Sequence, residues 1–138
     1  MSAQFLMIAI LAFVVLVVTA YQLRGRKSAL GAYRNRGGSD RAWSEAFPST
    51  RTEEIERFMS LFAGAFAFSR GQASKFLPSD RVFAIYRALY PSKDLPDALE
   101  LETFARGLKE TYGVALGEVW SSELTLGEIF NRCCVRAA

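Results

Sequence analysis

Apolar residues fall along this chain in two patterns. From Phe5 to Leu23 they run almost unbroken, FLMIAILAFVVLVVTAYQL, with only Thr19 and Gln22 frankly polar. From Ile55 onward they recur at three- and four-residue spacing, the period of one helix face. The first pattern predicts a membrane-crossing helix. Its nineteen residues cover roughly 28 Å at helical rise, near the hydrocarbon thickness of a bilayer. Twelve of them are Leu, Ile, Val or Phe, which favours insertion by roughly 4–7 kcal/mol as an upper bound. A core helix of a soluble domain keeps a polar stripe, and this run has none. A cleaved signal peptide is the rival reading, with Val18-Thr19-Ala20 as its site. Against it, Met1-Ser2-Ala3-Gln4 carries no positive side chain, and the apolar run is long for such a peptide.

The second pattern predicts helices throughout. Thr50 and Glu53 read as a capping box ahead of Ile55, Phe58, Met59, Leu61, Phe62, Ala65 and Phe66, with Gly71 marking the end. Pro78-Ser79-Asp80 opens a second helix bearing Val82, Ile85, Tyr86 and Leu89, and Pro91 stops it. Asp94-Leu95-Pro96-Asp97 opens a third, in which Leu101, Phe104, Ala105, Leu108 and Tyr112 share a side and Gly113 caps the end. A short last helix from Thr125 to about Arg132 carries Leu126, Ile129 and Phe130. No segment alternates with the period of a strand, and no internal repeat is visible. The expected fold class is all-α: a single N-terminal transmembrane helix followed by a small helical bundle. Eight of the eleven Phe lie between Phe58 and Phe130, which reads as core packing rather than a ligand pocket.

Charge divides the chain in the same way. The first 23 residues hold no Lys, Arg, Asp or Glu. Arg24, Arg26, Lys27, Arg34, Arg36 and Arg41 follow directly, with Asp40 the only acid among them. The positive-inside rule then places the rest of the chain in the cytoplasm, on a single-pass protein of the cell (inner) membrane. Those cations also suit anionic lipid head groups. Binding of nucleic acid is not expected, because no aromatic platform is interleaved with them. Residues 24–50 contain Gly25, Gly31, Gly37, Gly38, Ser39 and Pro48, a loop-like composition. The expected organisation is therefore an anchor over 1–23, a basic juxtamembrane linker over 24–50 and the bundle over 51–138. Within the linker, Asp40 is placed to cap a short turn carrying Trp43 and Phe47, which are expected to dock on the bundle. From residue 42 on there are 11 basic and 13 acidic residues, so the basic balance belongs to the tether.

Candidate chemistry is sparse. Without His, triads, imidazole relays and His metal sites are excluded. Cys133 and Cys134 are adjacent and cannot supply a tetrahedral metal site alone. They read as a reduced pair, with acylation or redox chemistry as the alternative. Glu100 and Glu102 are two apart and point in different directions on a helix. Asp94, Asp97 and Glu102 do not make a calcium loop, since Pro96 and Ala98 occupy ligand positions. No Gly-rich phosphate loop or serine elbow is present. Neither a metal nor a cofactor is expected, and nor is catalysis.

From Asp97 to about Phe130 the chain resembles an acyl carrier protein. Asp97-Ala98-Leu99-Glu100 stands where that family begins its second helix with Asp-Ser-Leu. Tyr112-Gly113-Val114-Ala115-Leu116 matches the turn that follows, and Leu124-Thr125-Leu126-Gly127-Glu128-Ile129-Phe130 matches the last helix. The resemblance spans roughly a quarter of the chain. It implies a helical bundle with a docking helix, but not the carrier arm. Ala98 occupies the position of the serine that receives phosphopantetheine in the family, and alanine has no oxygen to phosphorylate. The stretch from Asp80 to Tyr90 also departs from the family, with a helix where a long loop is usual. The resulting expectation is a non-catalytic, membrane-anchored interaction module. It would dock an unidentified cytoplasmic protein near Asp97, Glu100 and Arg106. The alternatives are an acyl carrier using another serine to serve a lipid-modifying membrane enzyme, and an acyl-chain or lipid binder with a Phe-lined interior.

Overall fold

A computed structural model describes residues 2–90 and 98–137 of the chain. Among the described residues there are nine helices and no strand. They are α1 (Ala3–Ala29), α2 (Gly31–Arg34), α3 (Asp40–Ala46), α4 (Thr52–Phe66), α5 (Arg70–Ala73), α6 (Val82–Leu89), α7 (Leu99–Tyr112), α8 (Leu116–Val119) and α9 (Leu126–Ala137). The Pro91 stop and the Asp94-to-Asp97 opening lie outside the described residues.

Among the described residues one helix, α1, is long and apolar enough to cross a membrane. Its span from Ala3 to Tyr21 has a mean hydropathy of 2.7 and buries nothing inside the protein. The helix continues unbroken through the basic stretch to Ala29. Leu30, immediately after it, is already in the bundle core. Residues 24–50, loop-like in composition, therefore fold as the end of α1 plus α2 and α3, and Ser39 and Trp43 are buried. Trp43 and Phe47 dock as expected, edge-on to Phe130 at 5.8 and 4.8 Å. Asp40 is the first residue of α3 and Ser39 its N-cap.

The core is aromatic. Phe58, Phe62 and Phe66 descend one face of α4 and meet Phe76, Phe104 and Phe130, all essentially inaccessible. Their rings pack tilted or edge to face, as between Phe62 and Phe104 at 5.4 Å and Phe58 and Phe130 at 5.2 Å. Each such side chain contributes about 1.5–3 kcal/mol by leaving water. Helix α4 packs most extensively on α7, and α9 packs on α7 and, through Phe130, on Phe58 of α4.

Several helix ends differ from the sequence expectation. The Thr50–Glu53 capping box does not form; Arg51 is the N-cap of α4, without a side-chain cap. The Thr50 hydroxyl instead bonds the Cys134 thiol. Helix α4 ends at Phe66 rather than near Gly71. Ala67 turns left-handed (φ 56°), and Phe68 N–H reaches back to the Ala63 carbonyl at 2.8 Å. Phe68 then packs on Phe66 and Phe76, which holds that turn without glycine. Gly71 lies inside α5, whose Ser69–Gln72 capping box is complete. Gly113 does end α7 in the left-handed region (φ 69°), and Val114 closes the motif against the core. Helix α9 starts as expected, with Thr125 and Glu128 exchanging side-chain and backbone bonds at 2.8 and 3.2 Å, and runs on to Ala137.

Candidate functional site

The sequence points first to the start of α7. Ala98 is its N-cap and offers no side-chain acceptor, so the first turn lacks the hydroxyl cap that a serine there would provide. Glu100 and Glu102 occupy that first turn, where the helix dipole favours acids. Glu100 is half-buried and accepts a hydrogen bond from the Tyr90 hydroxyl, at the end of α6. Arg106 is exposed on the open side of α7. Six residues of helix separate the two, which sets them roughly 120° apart around the axis. The structure thus brings Glu100 to α6 and leaves Arg106 facing outward. Asp97 lies outside the described residues.

A second cluster was invisible to sequence reasoning. Asp80, which reads as a helix opener, is buried and caps nothing; the N-cap of α6 is Arg81. The Asp80 carboxylate accepts from Leu77 N–H at 2.7 Å and from the Arg36 guanidinium at 2.7 Å. Arg36 also stacks over the Tyr33 ring at 5.0 Å, and its carbonyl accepts from Lys75 Nζ at 2.7 Å. Nearby, Ser39 N–H donates to the Ser74 carbonyl at 2.8 Å and Trp43 Nε1–H to the Phe76 carbonyl at 2.9 Å. The segment after α1 is thereby sewn to the 74–80 turn. That turn is in turn sewn to α9: Leu126 N–H donates to the Asp80 carbonyl and Gly127 N–H to the Pro78 carbonyl, at 3.0 and 2.8 Å. A Cβ on Gly127 would stand 2.9 Å from that carbonyl oxygen, so only glycine fits this approach. No local pattern advertises these bonds, because Arg36 and Asp80 are 44 residues apart. Burial pushes the Tyr33 hydroxyl above its ordinary pKa, and the Asp80 charge adds to the shift.

Neither cysteine is set up as a nucleophile. Burial pushes the Cys133 thiol up to about 12, and the neighbouring Cys134 reinforces it. Cys134 is raised as well, by burial and by Glu54, partly offset by its bond to Thr50. Thiols shifted upward carry little thiolate at neutral pH. Among the described residues no three acidic or cysteine side chains converge as a metal site. Grooves among the described residues include two on the bundle surface. One, of about 300 Å³, lies between α3, α4 and α5 and is lined by Asp40, Trp43, Glu56, Met59 and Arg70. The other, of about 440 Å³, lies between α8 and α9 beside Glu118, Glu128 and Arg132.

In comparison with known proteins, the chain matches no protein-family description, no curated protein and no solved structure.

Proposed function

We propose that the chain is a membrane-anchored, non-catalytic interaction module with an acyl-carrier-like bundle, which holds a cytoplasmic partner protein at the membrane surface. One observation carries this reading: the segment following α1 is built into the bundle core through Leu30 and Trp43 and tied down at Asp80. A partner docked on the bundle is therefore held at a set distance from the anchor rather than on a loose tether. The positive-inside rule applied to Arg24, Arg26 and Lys27 supports the cytoplasmic side. The proposed docking end is the open side of α7, with Arg106 at its middle, Glu100 at its flank and Asp97 preceding it in sequence. Ala98 at the expected attachment position argues against a phosphopantetheine arm.

The test is affinity capture of the full-length chain from its native membrane, comparing wild type with Arg106→Glu and Glu100→Lys. Loss of a specific protein with Arg106→Glu supports the module. If both reversals retain every captured protein, this face is not the docking site. An intact mass carrying a phosphopantetheine adduct would replace the reading with a working carrier that uses another serine.

A further inference from the structure

Beyond α1, the large hydrophobic side chains exposed among the described residues are Leu99, at 57%, and Trp120, at 38%. A line of aromatic side chains runs from Trp120 toward the start of α7, where Leu99 lies. Trp120 meets Phe83 edge-on at 6.3 Å, Phe83 lies 6.5 Å from Tyr86, and Tyr86 lies 5.3 Å from Tyr90. The Tyr90 hydroxyl then donates to Glu100, the residue next to Leu99. Phe83, Tyr86 and Tyr90 are each half-buried. Arg87 lies one turn beyond Phe83 on α6, adding a cation beside the strip.

We propose that this strip, from Leu99 along α6 to Trp120, rests in the head-group layer of the membrane that α1 crosses. The proposal rests on the anchor reading above and adds the face by which the bundle meets lipid. Three features favour lipid over a protein as the occupant. First, α1 meets α6. Second, the reach is short. The apolar span ends at Tyr21 and the core begins at Leu30, a helical rise of roughly 13 Å. The polar layer on each side of a bilayer is about 5–8 Å thick, so the bundle cannot stand clear of it by more than a helix diameter. Third, Trp and Tyr with an apolar body and a wet tip, beside Arg, are the side chains that suit this layer. Of the nearby carboxylates, Glu100 is engaged by Tyr90 and Glu123 by Arg81.

Trp120 reports on the contact, because the other tryptophan, Trp43, is buried. The full-length chain would be reconstituted into phosphatidylcholine vesicles containing phosphatidylglycerol, with and without lipids brominated on the upper acyl chain. The expected result is quenching of tryptophan emission by brominated lipid that is lost in Trp120→Phe and weakened in Arg87→Glu. Quenching of Trp120 by aqueous iodide but not by brominated lipid overturns the proposal and leaves the strip open to a protein. So does quenching that Trp120→Phe leaves intact. Flotation after an alkaline wash separates the two readings. A chain that floats without Trp120 quenching keeps its anchor and loses only this face. A chain that fails to float loses both.

Discussion

Helices α1 and α4 are both rich in large apolar side chains, yet they distribute them differently. In α1 the apolar residues cover the whole circumference, and none between Ala3 and Tyr21 is buried by the protein. In α4 they are gathered on one face, where Ile55, Phe58, Phe62 and Phe66 are buried, while Glu53, Glu56 and Arg57 stay exposed. The distribution around the helix, rather than the amount of apolar surface, decides which environment each one needs. A stripe is satisfied by other helices. A full coat is satisfied only by something that surrounds it, and a bilayer does so without asking for complementary shapes.

Substitutions in the two helices should therefore have effects that do not cross over. The largest is Phe62→Ala, which opens a hole beneath Phe66, Phe76 and Phe104 and costs about 3–5 kcal/mol of bundle stability. Chemical denaturation of the full chain in detergent should show that loss, while retention in alkaline-washed membranes stays intact. Val14→Arg should do the reverse. It raises the insertion cost by about 2.5–3.5 kcal/mol, depleting the chain from the membrane fraction and leaving the denaturation midpoint of the bundle in place. If Val14→Arg also unfolds the bundle, the two regions are not energetically separate. Asp80→Asn acts on the seam between them. It weakens the bonds to Arg36 and Leu77 N–H for about 1–3 kcal/mol, and hydrogen exchange should report the opening at Arg36–Trp43 before the α4 face. The smallest effect runs the other way. Ala67→Gly should stabilise the bundle by about 0.5 kcal/mol, the relief of a left-handed alanine less the extra chain entropy of glycine. A midpoint shift in the opposite direction would mean that Ala67 contributes contacts that outweigh its backbone strain.

Much of this fold was legible because its signals are local. Val82, Ile85 and Leu89 are spaced for one face, Gly113 suits a left-handed end, and Thr125 with Glu128 caps a helix using only neighbours. The misplaced features depend on partners distant in sequence. Thr50 had the right spacing to cap α4, but Cys134 takes its hydroxyl. The end of α4 carries no glycine, since Phe68 docking on Phe76 stabilises the turn from outside the helix. Residues 30–47 have a loop-like composition, yet Ser39 and Trp43 find the carbonyls of Ser74 and Phe76. Backbone carbonyls have no side-chain identity, so such pairings leave no mark in composition. For the candidate site, spacing alone put Glu100 and Arg106 on one helix. Only the approach of Tyr90 reveals that the Glu100 side chain is engaged by the end of α6.

An unbroken α1 leading straight to Leu30 also makes the connection a shaft, and a shaft has a phase. Each residue added between Tyr21 and Leu30 would turn the bundle by about 100° about the axis of α1 and lift it by about 1.5 Å. One inserted residue would swing Trp120 and the α6 strip well around the axis, whereas seven would return them to within about 20° of their original heading, some two turns higher. The length of this segment thus sets a compass direction as well as a height.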